Sequence, residues 1–496
     1  MSIAMLPVEL LISVFEELQG YETKPGDSTR RWSPQWRVVR QVCKHWHDVA
    51  DGHPKLWKTV DVLPSKHALD WVNLCVSKSG AVGLELRFHT PHAMREVCDA
   101  LYAHTERIQK ISAWGEETIR GLHALRPLFF LNLLNVQELH FNANFPRTRG
   151  FYNLDRDTRF VLTELLGELS PARLPALHTI SLRGIFLPWE SPITPNLRVL
   201  RLDRWDDSSP VFREPYGVPS DRFLHILASC TKLETLSLDV KNTDTHLRLP
   251  QSGTLPVIAL PSLRRLVLTV NHFASRVLFV PLLAHIRVPP TCTVTIAGST
   301  STFDLAAPTY PDFLPAPALA AQSIPALARA VAATWNGPQA FSFTSDSGAA
   351  LRLAVRDGRE EHRRTLPDPD DALSQFCEYA REAPRLARLA LCARVSEGAY
   401  ARAFRTLAGV GVEELVAWTP RREDVRGLLS ALAGKPESTG SEAGTPGSGA
   451  VLGGLRVLRL KGLVRYQGFE ADVAECLRVR REAGARDVEV YISIEG

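Results

Sequence analysis

One spacing recurs through most of this chain: an apolar residue, two free positions, a second apolar residue, one free position, and a third apolar residue. The pattern begins near residue 108 and is clearest as Val136-x-x-Leu139-x-Phe141, Leu177-x-x-Ile180-x-Leu182, Leu197-x-x-Leu200-x-Leu202, Leu233-x-x-Leu236-x-Leu238 and Leu263-x-x-Leu266-x-Leu268. It returns as Leu386-x-x-Leu389-x-Leu391 and Leu455-x-x-Leu458-x-Leu460. The last two apolar positions stand two residues apart, so on an extended chain they share a face, which predicts a short strand with alternate side chains turned inward. Helical stretches accompany the strands, for example residues 222–229 and 371–383. No single unit of this kind can bury its own apolar face. Units that stack can, and they leave a strand face open for binding.

These copies resemble the leucine-rich repeat. Phe141 and Leu268 are followed at the third position by Asn144 and Asn271, the residue that the family pattern calls for, whose amide can satisfy backbone groups at the turn leaving the strand. Successive copies from Val136 to Leu263 start 41, 20, 36 and 30 residues apart, against about 20 to 29 in regular arrays. The array is therefore irregular. Between Leu268 and Leu386 the motif fades, although Thr293-Val294-Thr295-Ile296 and Phe341-Ser342-Phe343 read as degenerate strands. A generic α/β core is the alternative.

Before the repeats, Leu6, Leu10, Val14 and Leu18 recur every four residues, with Leu11 and Phe15 beside them and Pro7 where a helix tolerates it, in the first turn. In a second segment Val39, Val42, Cys43, Trp46 and Ala50 follow alternating three- and four-residue steps as one helical stripe, which leaves Arg40, Lys44, His47 and Asp51 towards water. Gly52 and Pro54 end that helix, and Leu56-Trp57-Lys58-Thr59-Val60 follows. The connection over residues 19–31 is polar and long, but loop closure costs only about 0.6 kcal/mol per doubling, so it does not forbid packing of the two segments. So small a helical unit either packs on the rest of the chain or offers an apolar face to a partner.

In order and spacing these elements resemble the F-box, the module that docks on the Skp adaptor of SCF (Skp, cullin, F-box) ubiquitin ligases. The resemblance implies an adaptor-binding set of Leu6, Pro7, Leu10, Leu11, Phe15, Val42, Cys43, Trp46, Leu56 and Trp57, with Trp46, Leu56 and Trp57 partly structural. The whole layout also resembles the large F-box-like families of mushroom-forming fungi.

Bulk composition fits this frame. Hydrophobic residues at 45% and charged residues at 23% of 496 are ordinary for globular domains, and a net charge of +4 from 58 basic and 54 acidic residues favours neither a nucleic-acid partner nor a membrane partner. Eight scattered cysteines with no C-x-x-C pair, no N-x-Ser/Thr sequon and no signal peptide predict free thiols in a cytoplasmic or nuclear setting. No apolar run approaches the ~18 residues that a bilayer crossing needs.

Chemistry finds little purchase. The phosphate-loop, H-E-x-x-H and G-x-S-x-G patterns are absent, and His45 and His47 stand two apart on a predicted helix, a poor spacing for one metal. The sequence therefore predicts no catalytic residue, no cofactor and no metal. The expected fold is α+β: a small helical F-box at residues 1–61, then an irregular α/β leucine-rich-repeat-like solenoid over residues 62–496. Flexible insertions are expected near 306–325, 357–371 and 435–454, where the chain is rich in Pro and Ala, in charge, and in Gly, Ser, Thr and Pro respectively. The expected function is that of an SCF substrate receptor: the N-terminal unit holds the Skp-type adaptor and through it cullin, and the repeats hold a target protein. The alternative is a Skp-binding or repeat scaffold protein with no role in ubiquitylation.

Overall fold

The computed structural model describes residues 6–21, 35–63, 65–89, 94–115, 128–129, 131–143, 170–183, 194–203, 220–240, 256–271, 279–299, 309–356, 368–418, 421–434, 452–462, 466 and 468–493. The chain forms two compact units, Met1–Trp205 with Ser209–Val211, and Asp206–Ser208 with Phe212–Gly496. The expected F-box segment, residues 1–61, lies within the first of these units. The reason is local: the helical segment runs directly into a strand of the first unit's sheet.

In the first unit a helix Val8–Tyr21, a tight turn Gln35–Gln41, a helix Lys44–Asp51 and a turn Pro54–Trp57 precede six strands among the described residues. These are β1 (Thr59–Val62), β2 (Leu84–Phe88), β3 (Ile108–Gly115), β4 (Glu138–Ala143), β5 (Thr179–Arg183) and β6 (Val199–Asp203). They pair in chain order and all in parallel. Parallel neighbours need a crossover, supplied between β1 and β2 by helix Ala68–Lys78 and between β2 and β3 by helix Met94–Leu101. In register Leu86 meets Ile111, Ile111 meets Leu139, Leu139 meets Ile180, and Ile180 meets Leu200. The middle apolar residue of each motif therefore forms a continuous buried row.

The second unit holds β7 (Thr235–Val240), β8 (Ile258–Ala259), β9 (Arg265–Asn271), β10 (Ile286–Arg287), β11 (Thr293–Ser299), β12 (Ala330–Trp335), β13 (Ala340–Ser345), β14 (Ala350–Arg356), β15 (Arg388–Leu391), β16 (Glu414–Trp418), β17 (Val457–Lys461) and β18 (Glu489–Ser493). Its sheet runs β7-β9-β11-β14-β13-β12-β15-β16-β17-β18, while β8 and β10 form a separate pair. Seen in this order, the region where the motif fades has a plain explanation. β12, β13 and β14 form an antiparallel meander inside an otherwise parallel sheet, which interrupts the repeat there. Phe341 and Phe343 are strand residues as expected, but of an antiparallel strand.

One predicted insertion is corrected. Within residues 306–325, the described part from Thr309 onward is ordered structure: a turn Tyr310–Asp312, a helix Pro317–Ser323, and the start of helix Pro325–Ala328. Tyr310, Phe313, Leu314, Ala320 and Ile324 are buried. Tyr310 packs edge-on to Phe341 at 4.8 Å, accepts a hydrogen bond from Trp335 Nε1 at 2.9 Å and donates to the Gly337 carbonyl at 3.1 Å. Composition misled here because proline suits the first turn of a helix and alanine its interior. Of residues 357–371, Asp368 caps the helix Pro369–Arg381 by accepting from the Asp370 amide, and 357–367 lie outside the described residues.

Residues 435–451 also lie outside the described residues, but their two flanks are tied to one buried side chain. Arg480 donates to the Leu432 carbonyl at 3.2 Å and to the Leu452 carbonyl at 2.9 Å. Deleting residues 438–449 is therefore expected to shift the melting temperature by no more than a few degrees. Arg480→Ala leaves buried carbonyls without a donor and should cost about 2 kcal/mol or more. Thermal melts of the two variants check both statements, and a deletion as damaging as the substitution would contradict them.

The outward face of the first unit's strands carries a titratable cluster. Glu138 on β4 sits 2.9 Å from His140 Nε2 and 2.7 Å from Lys110 Nζ. The His140 hydrogen bond, helped by Lys110 and only partly opposed by burial, holds its carboxyl down at about 2. A carboxyl depressed by folding contributes stability that is present above its ordinary pKa of 4.5 and is lost as pH falls through about 2. The melting-temperature difference between the wild type and Glu138→Gln should accordingly shrink as pH is lowered from neutrality through that window. A difference that stays constant would show that the pairing contributes nothing.

Candidate functional site: an exposed apolar face on the N-terminal helices

Helix Val8–Tyr21 begins where Pro7 sits, the Pro7 carbonyl accepting from the Leu10 and Leu11 amides at 3.1 Å. It runs three residues beyond the expected end at Leu18. Gln19, assigned from sequence to the loop, is helical and buried, and donates from Nε2 to the Leu56 carbonyl at 2.9 Å. The rest of the predicted connection, residues 22–31, lies outside the described residues.

The apolar surface of this helix is two adjacent stripes wide. Leu11, Phe15 and Gln19 turn inward, and Phe15 meets Trp46 edge-on with ring centres 5.3 Å apart. Leu10, Val14 and Leu18 form the neighbouring stripe and are 53%, 44% and 40% exposed. Half of a wide apolar face is thus buried and half faces solvent.

The second segment corrects the sequence reading. It is not one helical stripe: the tight turn Gln35–Gln41 ends before Val42, and a new helix starts after Cys43. Val39, Trp46 and Ala50 are buried, but the break in helical phase leaves Val42 and Cys43 exposed, with Val38 exposed beside them. Arg40 and Asp51, expected towards water, instead form a half-buried ion pair at 2.8 Å. Burial alone would raise the Asp51 carboxyl. Its hydrogen bond from Lys78 Nζ at 2.9 Å and the Arg40 charge outweigh that and hold it below the usual range.

A tryptophan cluster fastens this segment to the rest of its unit. Trp57 meets Trp36 edge-on at 5.4 Å and Trp71 at 5.8 Å, and its Nε1 donates to the Ala50 carbonyl at 2.9 Å. The Arg37 guanidinium lies 3.2 Å from the Trp71 ring centre, a cation–π contact onto helix Ala68–Lys78. The helices therefore present their face from a braced base.

The ten residues expected to bind an adaptor divide accordingly. Pro7, Leu10, Val42 and Cys43 are exposed and Leu6 is half-buried. Leu11, Phe15, Trp46, Leu56 and Trp57 are buried, Trp46 at 9% exposure and the others fully. Val8, Val14, Leu18 and Val38 are exposed and were not in the expected set. For Val14 and Leu18 the four-residue recurrence was the available signal. Of the twelve large hydrophobic residues exposed among those described, six lie between Val8 and Val42, so the apolar exposure is concentrated where a partner would have to sit.

Among the described residues no group of three or more His, Cys, Asp and Glu side chains is placed to hold a metal ion, and no helix is long and apolar enough to cross a membrane.

The family model described as F-box-like matches residues 3–62, the helices and turns just described together with β1. The chain thus carries an F-box-like domain at its N-terminal end. No curated protein matches the chain.

Proposed function

We propose that the chain is the substrate-recognition subunit of an SCF-type ubiquitin ligase, acting in the cytoplasm or nucleus. Its F-box-like domain docks on a Skp-type adaptor, and through it on cullin, by the face of Leu10, Val14 and Leu18 together with Val38, Val42 and Cys43. The observation that carries this reading is the concentration of exposed apolar side chains on a segment that matches the F-box-like family. On this reading the chain contributes no catalytic group. It raises the local concentration of a target beside the ubiquitin-charged enzyme, a contribution of proximity and orientation.

We read the sheet units as an irregular leucine-rich-repeat-like domain that holds the target. The parallel order of most strands and the registered apolar rows support this, with the antiparallel meander as a departure from the regular repeat. The bracing of the helices against Trp71 and Lys78 fits the same role, because a receptor must hold its target at a fixed offset from the adaptor.

Affinity purification tests the proposal. Intact wild type should recover a Skp-type adaptor and cullin, while Leu10→Ala with Val14→Ala should recover neither and keep the wild-type melting temperature. Recovery of the adaptor without cullin would remove the ubiquitylation role, and recovery of neither by the wild type would remove the proposal. Surface substitution is the right perturbation. Truncating the domain would strip Trp57 and Asp51 from the contacts that hold helix Ala68–Lys78.

A further inference from the structure

Outward-facing residues of β1 to β6 form rows that can be read from the strand register. Asp61, Arg87, Ser112, His140, Ser181 and Arg201 stand side by side in one row. In the next row towards the strand ends Asn142, Arg183 and Asp203 follow Trp114, on which the His89 ring stacks at 5.2 Å with an 18° tilt. The face is polar, and much of it is half-buried.

Its acidic groups are answered. Asp61 accepts from His89 Nε2 at 3.0 Å, Glu85 pairs with Lys58 at 2.8 Å, and Glu138 pairs with Lys110 and His140. Asp203, beside Arg183 in register, is likewise not without a partner. Its donors are answered less fully. Arg87, whose side chain is only 13% exposed, reaches a carboxylate only at 3.8 Å, on Glu85, and makes no hydrogen bond among the described residues. Arg183 makes no ion pair or hydrogen bond among the described residues, and its Nε is buried. Between them in the rows, the fully buried Ser112 hydroxyl also has no partner. A guanidinium N–H that is buried without an acceptor, as Arg183 Nε is, forfeits its hydration without recompense.

We propose that this strand face, from Arg87 to Arg183, docks an extended acidic segment of a partner protein through two carboxylates. This deepens the receptor reading above and rests on it. Three strand steps separate Arg87 on β2 from Arg183 on β5, and one alternation along the strand offsets them. At ~4.8 Å per strand and ~7 Å per alternation, that is ~16 Å, the reach of about five residues of extended chain. Each guanidinium fork matches a carboxylate in two parallel hydrogen bonds, and the half-exposed Trp114 ring, backed by the stacked and buried His89, offers a flat face alongside. Carboxylate is favoured over phosphate because Glu85 beside Arg87 and Asp203 beside Arg183 add negative charge that a dianion would feel twice over.

The experiment is fluorescence anisotropy with the full chain and labelled Gly/Ser probe peptides that carry two Glu five positions apart, two Gln at the same positions, or two phosphoserines there. The Glu probe should bind at least about tenfold more tightly than the Gln probe, and more weakly as salt rises. Arg183→Gln should weaken it about tenfold, and Arg183→Lys should recover part of that loss, because charge returns without the fork. Arg87→Gln should act likewise. If that variant does not fold, Arg183→Gln at an unchanged melting temperature decides. Equal binding of the Glu and Gln probes, binding of the phosphoserine probe alone, no binding of any probe, or an Arg183→Gln variant that binds as the wild type does would each overturn the proposal. Adaptor binding, measured in parallel, should be unaffected by Arg183→Gln. Loss of the receptor reading would appear there and not in the probe series.

Discussion

Leu266→Asp is expected to abolish the cooperative melting of the second unit. Leu266 is fully buried on β9, in register with Leu236 on one side and Val294 on the other, so the new carboxylate would sit in a continuous apolar row with no cation to meet it. An unpaired buried carboxyl costs several kcal/mol even once it is protonated and neutral, and the lost leucine packing adds about 2 to 5 kcal/mol. Together these rival the ~5 to 15 kcal/mol that holds a typical domain. Leu458→Asp on β17, flanked by Leu415 and Val490, should do the same. Val267→Asp, one residue from Leu266 and on the half-exposed face, should change the melting temperature by only a few degrees. Calorimetry of the three variants checks this, and a Leu266→Asp protein that still melts cooperatively near the wild-type temperature would mean that the inward face has been misassigned.

That contrast between neighbouring residues also shows how much of the fold could be read from sequence. Each of the seven motif copies lies on a strand, from β4 through β17, because two leucines spaced two apart beside turn residues leave few other ways to bury both. Other copies end in a weaker side chain. β16 carries Val412-x-x-Leu415-x-Ala417, the same spacing ending in alanine, and β3 carries Ile108-x-x-Ile111-x-Ala113. Both are buried as fully as the obvious copies. The meander of β12 to β14 was illegible for another reason: strand direction is set by loop length and partner choice, which no single residue spells out.

At the candidate site the sequence showed the apolar stripes but not which one faces inward. Leu10 and Leu11 are equally hydrophobic. Only the arrival of Trp46 against Phe15, and of the Leu56 carbonyl at Gln19, decides that the second stripe becomes core and the first stays outside. Val42 and Cys43 were placed in the right segment, yet they are exposed because of a change of helical phase that side-chain spacing does not reveal.

A binding titration of a purified Skp-type adaptor against the full chain tests the central claim most directly. It compares the wild type, Leu10→Ala with Val14→Ala, and Phe15→Ala. Truncating a central apolar anchor of an interface typically costs about 2 kcal/mol, so the surface pair should weaken binding roughly a thousandfold. It should do so at an unchanged melting temperature, since both side chains already face solvent. Phe15→Ala is expected to act the other way round, lowering stability by about 3 to 5 kcal/mol while leaving the docking residues in place in whatever fraction stays folded. Saturable binding by the wild type, lost in the surface pair alone, is the predicted result. A wild-type chain that does not bind the adaptor, or a folded surface variant that binds it as tightly as the wild type, would contradict the account.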